Sequence, residues 1–503
     1  MNTNTEWLQT VCCELLCTDT VPVDVAPLAL GMNSLTAVRL AARISTEFDA
    51  DLNPAAVLRA SRLSDLVEGL RPRPPADTSG MDESFIALSH MQLAFYIANQ
   101  IAPGGNAYHC PLVWRLDGPV NRRLLELALD DLARRHPVMR GTLAYRRGEL
   151  GLAIADQPIP RLRHHREADE AAALARVEAA SRDPLITARG EPLWQALLVE
   201  HGDGATEGRL FALINHHMLV DWMAAQVLLT DLSRFHAARE EGDYPRVNPT
   251  PSAYVLAERR KRDGANAPAA VAYWKRELTG ASTRSLGHGG AVRHRQTWLP
   301  GPLTESLRAL AARWGTTLHN VLLACFAEAY HDWCGSDDVV IGVSYAFPRT
   351  GPAQSVSAPL MNTLCVRSCR TRRRDLAAMT GRLTEKVIDA ILHSELPVAK
   401  VASLADAPVG TPLFDVFFNY QELSPPTLDI GVSAEALTLP IDPMFPVVVV
   451  AMPHDGGIRV SAALALPEGG PDDDALLGSF AAVCESLAVR PTDEPTNART
   501  ATS

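Results

Sequence analysis

The chain has 503 residues, of which 47% are hydrophobic and 21% charged, and its formal net charge is -11. This composition is typical of a globular protein with several cores, and the negative charge excludes a broad basic surface for nucleic acid or anionic lipid. No apolar run is long enough to span a bilayer, and residues 1–10 lack a signal-peptide pattern, so we expect a cytoplasmic protein with no membrane contact.

The first 70 residues have apolar positions at helical spacing. The stripes run from Trp7 to Leu16, from Leu35 to Phe48 and from Leu63 to Leu70. They predict a small bundle of helices over residues 1–70. The proline-rich, polar stretch at 71–83 then predicts a semi-extended linker that reaches up to ~30 Å.

Ser34 lies where a loop passes into the second of these predicted helices, in the run Leu30-Gly-Met-Asn-Ser-Leu35. Two interpretations stay open from the residues alone: an ordinary helix cap, or an attachment point whose helix dipole suits a phosphodiester. The run resembles the attachment site of acyl and peptidyl carrier domains. That resemblance implies a four-helix bundle in which Ser34 carries 4'-phosphopantetheine, with a terminal thiol for an acyl or aminoacyl thioester.

After the linker, helix and strand patterns alternate, as in a mixed α/β architecture. We predict two lobes, at 84–260 and 261–490, followed by a disordered tail at 491–503. The clearest segments are predicted helices at 121–135, 303–314 and 318–333, and predicted strands at 209–214, 338–343 and 414–418.

The run Ile214-Asn-His-His-Met-Leu-Val-Asp-Trp222 lies between a predicted buried strand and a predicted helix. Its spacing is poor for a metal site, because a third ligand is missing nearby. A structural interpretation makes His216 and His217 satisfied core groups and Asp221 a helix cap. A catalytic interpretation makes one histidine either a general base or a donor that stabilises the oxyanion of the transition state, with the other groups holding it in place.

The run resembles the HHxxxDG signature of condensation domains, which are relatives of chloramphenicol acetyltransferase. Further segments resemble this family in order and spacing, and together they cover residues 84 to about 490; they are Ser89-His-Met-Gln92, Arg135–Thr142, Tyr273-Trp274, Pro359–Leu364 and Pro412–Phe414. The resemblance implies a fold of two chloramphenicol-acetyltransferase-like lobes and an amide-forming acyltransferase.

The resemblance also implies a role for each site residue. His217 faces a channel between the lobes, and His216 orients its surroundings. Asp221 forms a structural salt bridge with Arg140, and Asn362 lies near the seam in the substrate channel. Trp222 replaces the family's glycine, where it either narrows the channel or packs into the helix.

These inferences predict a carrier and condensation unit of a non-ribosomal peptide synthetase for natural product biosynthesis. The expected partners are a phosphopantetheinyl transferase, an adenylation domain or other loading enzyme in trans, and another carrier or a small-molecule amine. Two alternatives stay open: a silent condensation-like domain that recruits carriers, or an acyltransferase that forms esters or uses CoA thioesters.

Overall fold

The computed structural model describes most of the chain. The described residues are 3–16, 18–32, 34–48, 50, 52, 54–68, 70, 82–101, 105–158, 162–186, 190–203, 207–264, 268–282, 286–371, 375–405, 413–422, 427–468 and 473–489. Most of the predicted linker and the whole predicted tail therefore lie outside the described residues.

The N-terminal bundle confirms the helical prediction. Its elements are α1 (Thr3–Leu16), α2 (Ser34–Glu47), α3 (Pro54–Arg59) and 3-10 helices at Pro27–Leu30 and Leu63–Val67. The stripe of α2 buries Val38, Ala41 and Ile44, as its spacing predicts.

The third predicted stripe forms a 3-10 turn instead of an α-helix. The backbone N–H groups of Leu63 and Ser64 donate to the carbonyls of Val25 and Val23. These long-range bonds fix the start of the segment against the preceding loop, while its apolar residues still pack into the bundle.

The first lobe consists of two sheets and the helices that cover them. Its strands are β1 (Phe85–Ala87), β2 (His109–Asp117), β3 (Gly141–Arg146), β4 (Glu149–Ile154), β5 (Leu162–Glu167), β6 (Trp194–His201) and β7 (Gly208–His216). Its helices are α4 (His90–Ile101), α5 (Arg122–Arg135), α6 (Glu170–Arg182), α7 (Trp222–Glu240) and α8 (Ser252–Gly264). The larger sheet places β7 between β2 and β6, both antiparallel to it.

The second lobe is built around one large sheet. Its helices are α9 (Pro268–Leu278), α10 (Gly301–Arg313), α11 (Leu318–Cys334), α12 (Leu376–Leu392), α13 (Val398–Ala402) and α14 (Asp473–Val489). Its part of the chain contributes β8 (Arg293–Leu299), β9 (Asp338–Ala346), β10 (Met361–Cys369), β11 (Val416–Tyr420), β12 (Ser433–Leu437), β13 (Val447–His454) and β14 (Gly457–Leu464). The sheet has the order β10-β9-β11-β13-β14-β8, with β11 parallel to both of its neighbours.

The two lobes exchange segments of chain. Strand β12 pairs antiparallel with β2 and so completes the sheet of the first lobe. Val356, Ala358 and Leu360, which follow β9, are buried in the first lobe's core. The predicted fold class, a helical bundle followed by two α/β lobes, is confirmed, whereas the sequence did not predict this exchange.

Among the described helices, none combines the length and the apolar content needed to cross a membrane.

Candidate active site

The junction between β7 and α7 positions the two adjacent histidines. The apolar run that precedes them forms the buried strand β7, which ends at His216. Asp221 then caps α7, because its Oδ1 accepts a hydrogen bond from the N–H of Ala224 at 2.7 Å. The end of a strand and the start of a helix thus hold a turn of only a few residues between them, and most of the turn is buried.

His216 is completely buried in this turn. Its Nδ1 accepts a hydrogen bond from the N–H of Met218 at 3.1 Å, and its Nε2 is buried without a partner among the described residues. Burial lowers the pKa of His216 well below its usual value, and the nearby His109 and His217 lower it further. The ring is therefore neutral and fixes the shape of the turn.

His217 is only half-buried. Its backbone N–H donates to the carbonyl of Tyr108 at 2.7 Å, and its ring stacks on Phe95 with centroids 4.6 Å apart. Its Nδ1 is buried without a hydrogen-bond partner among the described residues. Burial lowers the pKa of His217, and this shift is opposed first by the polar backbone of His217 itself and then by the carboxylate of Asp221 and the backbone of Val220. The structure therefore holds a neutral, partly accessible imidazole in a fixed orientation.

Asp221 connects the turn to the second half of the chain. Its Oδ1 accepts a hydrogen bond from Nη2 of Arg349 at 2.8 Å, and its Oδ2 accepts one from the N–H of Leu360 at 2.8 Å. Arg349 also donates to the carbonyls of Val356 and Ala358 at 2.8 and 2.6 Å. Both members of the Asp221–Arg349 pair are buried, so each charge is neutralised by the other and not by water.

The predicted pair of Asp221 with Arg140 is wrong. Arg140 instead donates to the backbone carbonyls of Ala133, Ala155 and Asp156. It stands at the end of a 3-10 helix, Pro137–Arg140, and holds the chain around the β3–β4 hairpin. The arginine that pairs with Asp221 is Arg349, which is 128 residues further along the chain. It directly follows Pro348, shortly after the end of β9. An arginine just beyond a buried strand was the available sequence signal.

The Ser89 and Gln92 segment supports the same turn. Ser89 and Gln92 form a capping box at the start of α4, with the Ser89 N–H donating to Gln92 Oε1 at 2.9 Å. The Nε2 of Gln92 donates to the carbonyl of Met218 at 2.7 Å. From the second half of the chain, the hydroxyl of Ser357 donates to the carbonyl of Leu219 at 2.9 Å. The pair Ser89 and Gln92 was predicted only through the family resemblance, and the sequence did not predict a role for Ser357.

Asn362, on β10, is nearly completely buried. Its Nδ2 donates to the carbonyls of Ser394 and Leu396 at 2.9 and 2.8 Å, and its Oδ1 accepts from the N–H of Val398. The side-chain amide thus anchors the loop between α12 and α13, and a role in the substrate channel stays a prediction.

Trp222 is the first residue of α7. The side chain is half-buried, and its indole Nε1 is buried without a hydrogen-bond partner among the described residues. Indole N–H groups in proteins are usually paired when buried, so this donor is unsatisfied in the structure.

Ser34 begins α2, as the sequence predicts, while its side chain lies outside the described residues. The preceding segment fits a covalently attached arm. Met32 is fully buried and anchors the loop, and Gly31 adopts a φ of 82° with open space where a Cβ would stand. The first turn of a 14-residue helix provides backbone N–H groups for a phosphodiester. No cluster of His, Cys, Asp and Glu among the described residues could hold a metal ion.

Comparison with known families decides the class of protein. Residues 82–462, more than half of the chain, match the family model "Condensation domain". The chain belongs to the condensation domain family. Residues 6–70 match the family "Phosphopantetheine attachment site", so the N-terminal bundle is a carrier domain that takes 4'-phosphopantetheine covalently. The predicted pair of a carrier and a condensation domain is confirmed.

Curated relatives of this condensation domain are synthetases. The chain is 27% identical over 80% of its length to malpibaldin synthetase of Mortierella alpina. It is also 27% identical over 80% of its length to phosphinothricin tripeptide synthetase PhsB of Streptomyces viridochromogenes. It spans only 8% and 36% of these two relatives. The chain is thus a carrier plus condensation domain of the non-ribosomal peptide synthetase type.

Solved structures share the fold of the condensation domain. The X-domain from teicoplanin biosynthesis superposes with a TM-score of 0.69 at 19% identity, over 82% of this chain and 97% of that one. The first condensation domain of the calcium-dependent antibiotic synthetase superposes with a TM-score of 0.65 at 20% identity, over 82% of this chain and 98% of that one.

Proposed function

We propose that this chain forms an amide bond between an acyl or aminoacyl thioester and an amine, with His217 as the base. The observation that supports this most is the contrast between the two histidines. His216 is sealed in the turn, whereas His217 is half-buried and fixed by Phe95 and Tyr108. A neutral imidazole of this kind can accept a proton.

The 4'-phosphopantetheine on Ser34, or on another carrier, supplies a thiol that holds the acyl group as a thioester. The amine nitrogen attacks the thioester carbonyl, so that a C–N bond forms and the C–S bond breaks. The proton lost by the amine passes to His217, which then gives it to the departing sulfur, so that a thiol leaves and the imidazole is neutral again. Because Nδ1 is buried, we assign Nε2 as the nitrogen that accepts the proton.

The other groups act by holding His217 in position. Asp221, Gln92 and Ser357 fix the turn on three sides through Arg349 and backbone carbonyls. Positioning of two reactants contributes roughly 7–11 kcal/mol to such a reaction, and a general base adds about 10²–10⁴-fold. The hydrogen bonds to the turn serve this positioning, because they keep the base in one orientation.

Trp222 is proposed to restrict the site. Family members have glycine here, and an indole fills far more space than a hydrogen. Its N–H is buried, so the restriction comes from the volume of the ring and not from a donor offered to the substrate. This volume favours a small amine as the acceptor, and substitution by glycine is expected to widen the range of amines accepted.

A second candidate function is recruitment without catalysis. The X-domain that superposes on this chain was also solved in a complex with OxyB, at a TM-score of 0.70 and 18% identity. Together with the replacement of the family glycine by Trp222, this favours a domain that binds a partner and leaves the chemistry to it.

An experiment in two steps separates the two candidate functions: the carrier is loaded with an acyl group, and the loaded protein is then tested against a panel of amines. A phosphopantetheinyl transferase and an acyl-CoA should add the mass of one acyl-phosphopantetheine group to the intact protein, and the S34A variant should show no adduct. Loading in the S34A variant would contradict the assignment of Ser34. The loaded protein is then incubated with candidate amines, and the products are identified by mass.

Amide products from the loaded wild-type chain support catalysis. Loading with no product from any carrier-bound or free amine supports the recruitment function. Product formed equally well from acyl-CoA by the S34A variant would instead support a CoA-dependent acyltransferase.

A further inference from the structure

A third histidine, His109, packs against the turn of the candidate active site. It lies on β2, directly opposite His216 on β7. The two rings form a T-shaped contact with centroids 5.8 Å apart and planes at 66°. Directly opposite residues of antiparallel strands have neighbouring side chains on one face of the sheet, so the register brings these two rings together. The buried ring of His216 therefore has a second buried imidazole against it.

The end of α6 holds the ring of His109. Its Nδ1 lies 2.7 Å from the carbonyl oxygen of Ser181, the last residue but one of α6. Carbonyls in the last turn of a helix have no partner within the helix, so this one needs a donor from elsewhere. A carbonyl can only accept, so Nδ1 of His109 carries the hydrogen. Burial lowers the pKa of His109, and the Ser181 carbonyl and the carboxylates of Asp183 and Asp442 oppose this shift. The ring is therefore neutral and held in one tautomer.

The chain just before His109 is anchored by Asn106, which is completely buried. The carbonyl of Asn106 accepts a hydrogen bond from the N–H of His109 at 2.9 Å. Its Nδ2 donates to Oγ of Ser181 and to the carbonyl of Pro440, both at 3.2 Å. Its Oδ1 accepts from the N–H of Asp442 at 2.8 Å. Two hydrogen-bonded connections thus join the start of β2 to Ser181, and the ring of His109 is fixed at both ends of its segment.

The same segment contacts both histidines of the turn. The carbonyl of Tyr108 accepts a hydrogen bond from the backbone N–H of His217 at 2.7 Å. A hydrogen bond fixes the ring of His216 only at Nδ1, which accepts from the N–H of Met218, because its Nε2 has no partner among the described residues. The contact with the ring of His109 therefore supplies the second constraint on His216.

We infer that His109 is a positioning residue, whose fixed ring packs on His216 and so sets the orientation of the turn that presents His217. The inference rests on the proposed function, in which His217 is the base, and adds a residue that the proposed function does not include. His109 acts through His216 and takes no proton in the reaction. A misplacement of about 1 Å can cost roughly 100-fold in rate, so such a support has a measurable effect.

Two substitutions separate the ring of His109 from its hydrogen bond. H109F keeps an aromatic ring against His216 but leaves the carbonyl of Ser181 without its donor. H109N keeps an N–H for this carbonyl but lacks the ring. Because the inference requires a ring that is held in one orientation, both variants should displace His217.

His331 of the second lobe provides the matched control. It is buried, and its Nδ1 lies 2.6 Å from the carbonyl oxygen of Ser336, so it makes the same kind of bond away from the turn. H331F and H331N should affect the free energy of unfolding in the same way as the variants of His109, without affecting His217. Urea unfolding shows which variants are folded, and if one variant of His109 does not fold, the other decides.

Modification by diethyl pyrocarbonate tests the position of His217 without any substrate. The reagent acylates neutral imidazole nitrogens that it can reach, and at about pH 7.5 a histidine with a lowered pKa is neutral, so the rate reports access to the ring. Tandem mass spectrometry of the tryptic peptide locates the modified ring. H109F and H109N should raise the rate at His217 at least about threefold, because a loosened turn exposes more of the ring. Wild-type rates in the folded variants of His109, or an equal rise in the variants of His331, would overturn the inference.

Single-turnover transfer from the loaded chain at increasing amine concentration gives a second measurement. Since His109 does not touch the substrate, its variants should lower the maximal rate roughly 10- to 100-fold and leave the half-saturating amine concentration within about twofold. The variants of His331 should keep both values. A weaker half-saturation with an unchanged maximal rate would contradict a positioning role. If the wild type itself forms no product, the proposed function fails, and the modification rates still decide the role of His109.

Discussion

Adjacent histidines in the HHxxxD run have different surroundings, and burial is what separates them. His216 has no exposed surface and uses Nδ1 within the turn, whereas His217 remains half-buried. We therefore propose a structural role for His216 and a chemical role for His217. The sequence indicated the pair, but only the structure shows which of the two rings is completely buried.

The lowered pKa of His217 predicts the pH profile of acyl transfer. A base acts in its neutral form, so the rate should fall on the acid side as pH drops through a pKa below the usual 6.5 of histidine. A hydrazide is a suitable nucleophile, because its amine stays neutral over that range. An acid limb centred at or above 6.5 would contradict the assignment.

The loss of Arg349 and the loss of Arg140 should have different effects on the protein. R349A leaves the carboxylate of Asp221 buried and unpaired, which should lower the free energy of unfolding by about 3–5 kcal/mol. R140A removes only hydrogen bonds to backbone carbonyls and should leave the pH profile of transfer unchanged. Urea unfolding and kinetics of both variants check this. If R140A lowered stability and activity more than R349A, the assigned pair would be wrong.

At the scale of elements, hydrogen bonds of the Gln92 side chain join the start of α4 to the turn after β7. Q92A leaves the Ser89 N–H and the Met218 carbonyl without partners, which should cost about 1–3 kcal/mol for each group. Gln100 lies on the exposed side of the same helix, so Q100A is the matched control. Equal urea midpoints for the two variants would show that the capping box does not support the turn.

Periodicity predicted the elements that local sequence specifies. The predicted strand at 209–214 and the helix after Asp221 correspond to β7 and α7, because an apolar run and a cap residue act within a few residues. The third carrier stripe formed a 3-10 helix, since backbone bonds to Val23 and Val25 override its local preference. Arg349 and β12 were missed, because local sequence does not indicate which residues or strands pair across a hundred residues or more.

The whole molecule is interlocked, because segments of the second half complete the first lobe. Strand β12 and the core residues Val356 and Ala358 belong to the first lobe in space. We therefore expect the two lobes to unfold together. Hydrogen exchange in increasing urea should show β7 of the first lobe and β9 of the second losing protection in one transition. Loss of protection in β7 well before β9 would contradict this coupling.

The central claim is that the imidazole of His217 takes the proton from the amine that attacks a carrier-bound thioester. Single-turnover transfer from the loaded chain, followed by product mass, tests it most directly, with H454A as a surface histidine control. The account predicts that H217A loads normally but transfers at least about 100-fold more slowly, while H454A matches the wild type. Transfer by H217A at the wild-type rate would contradict it.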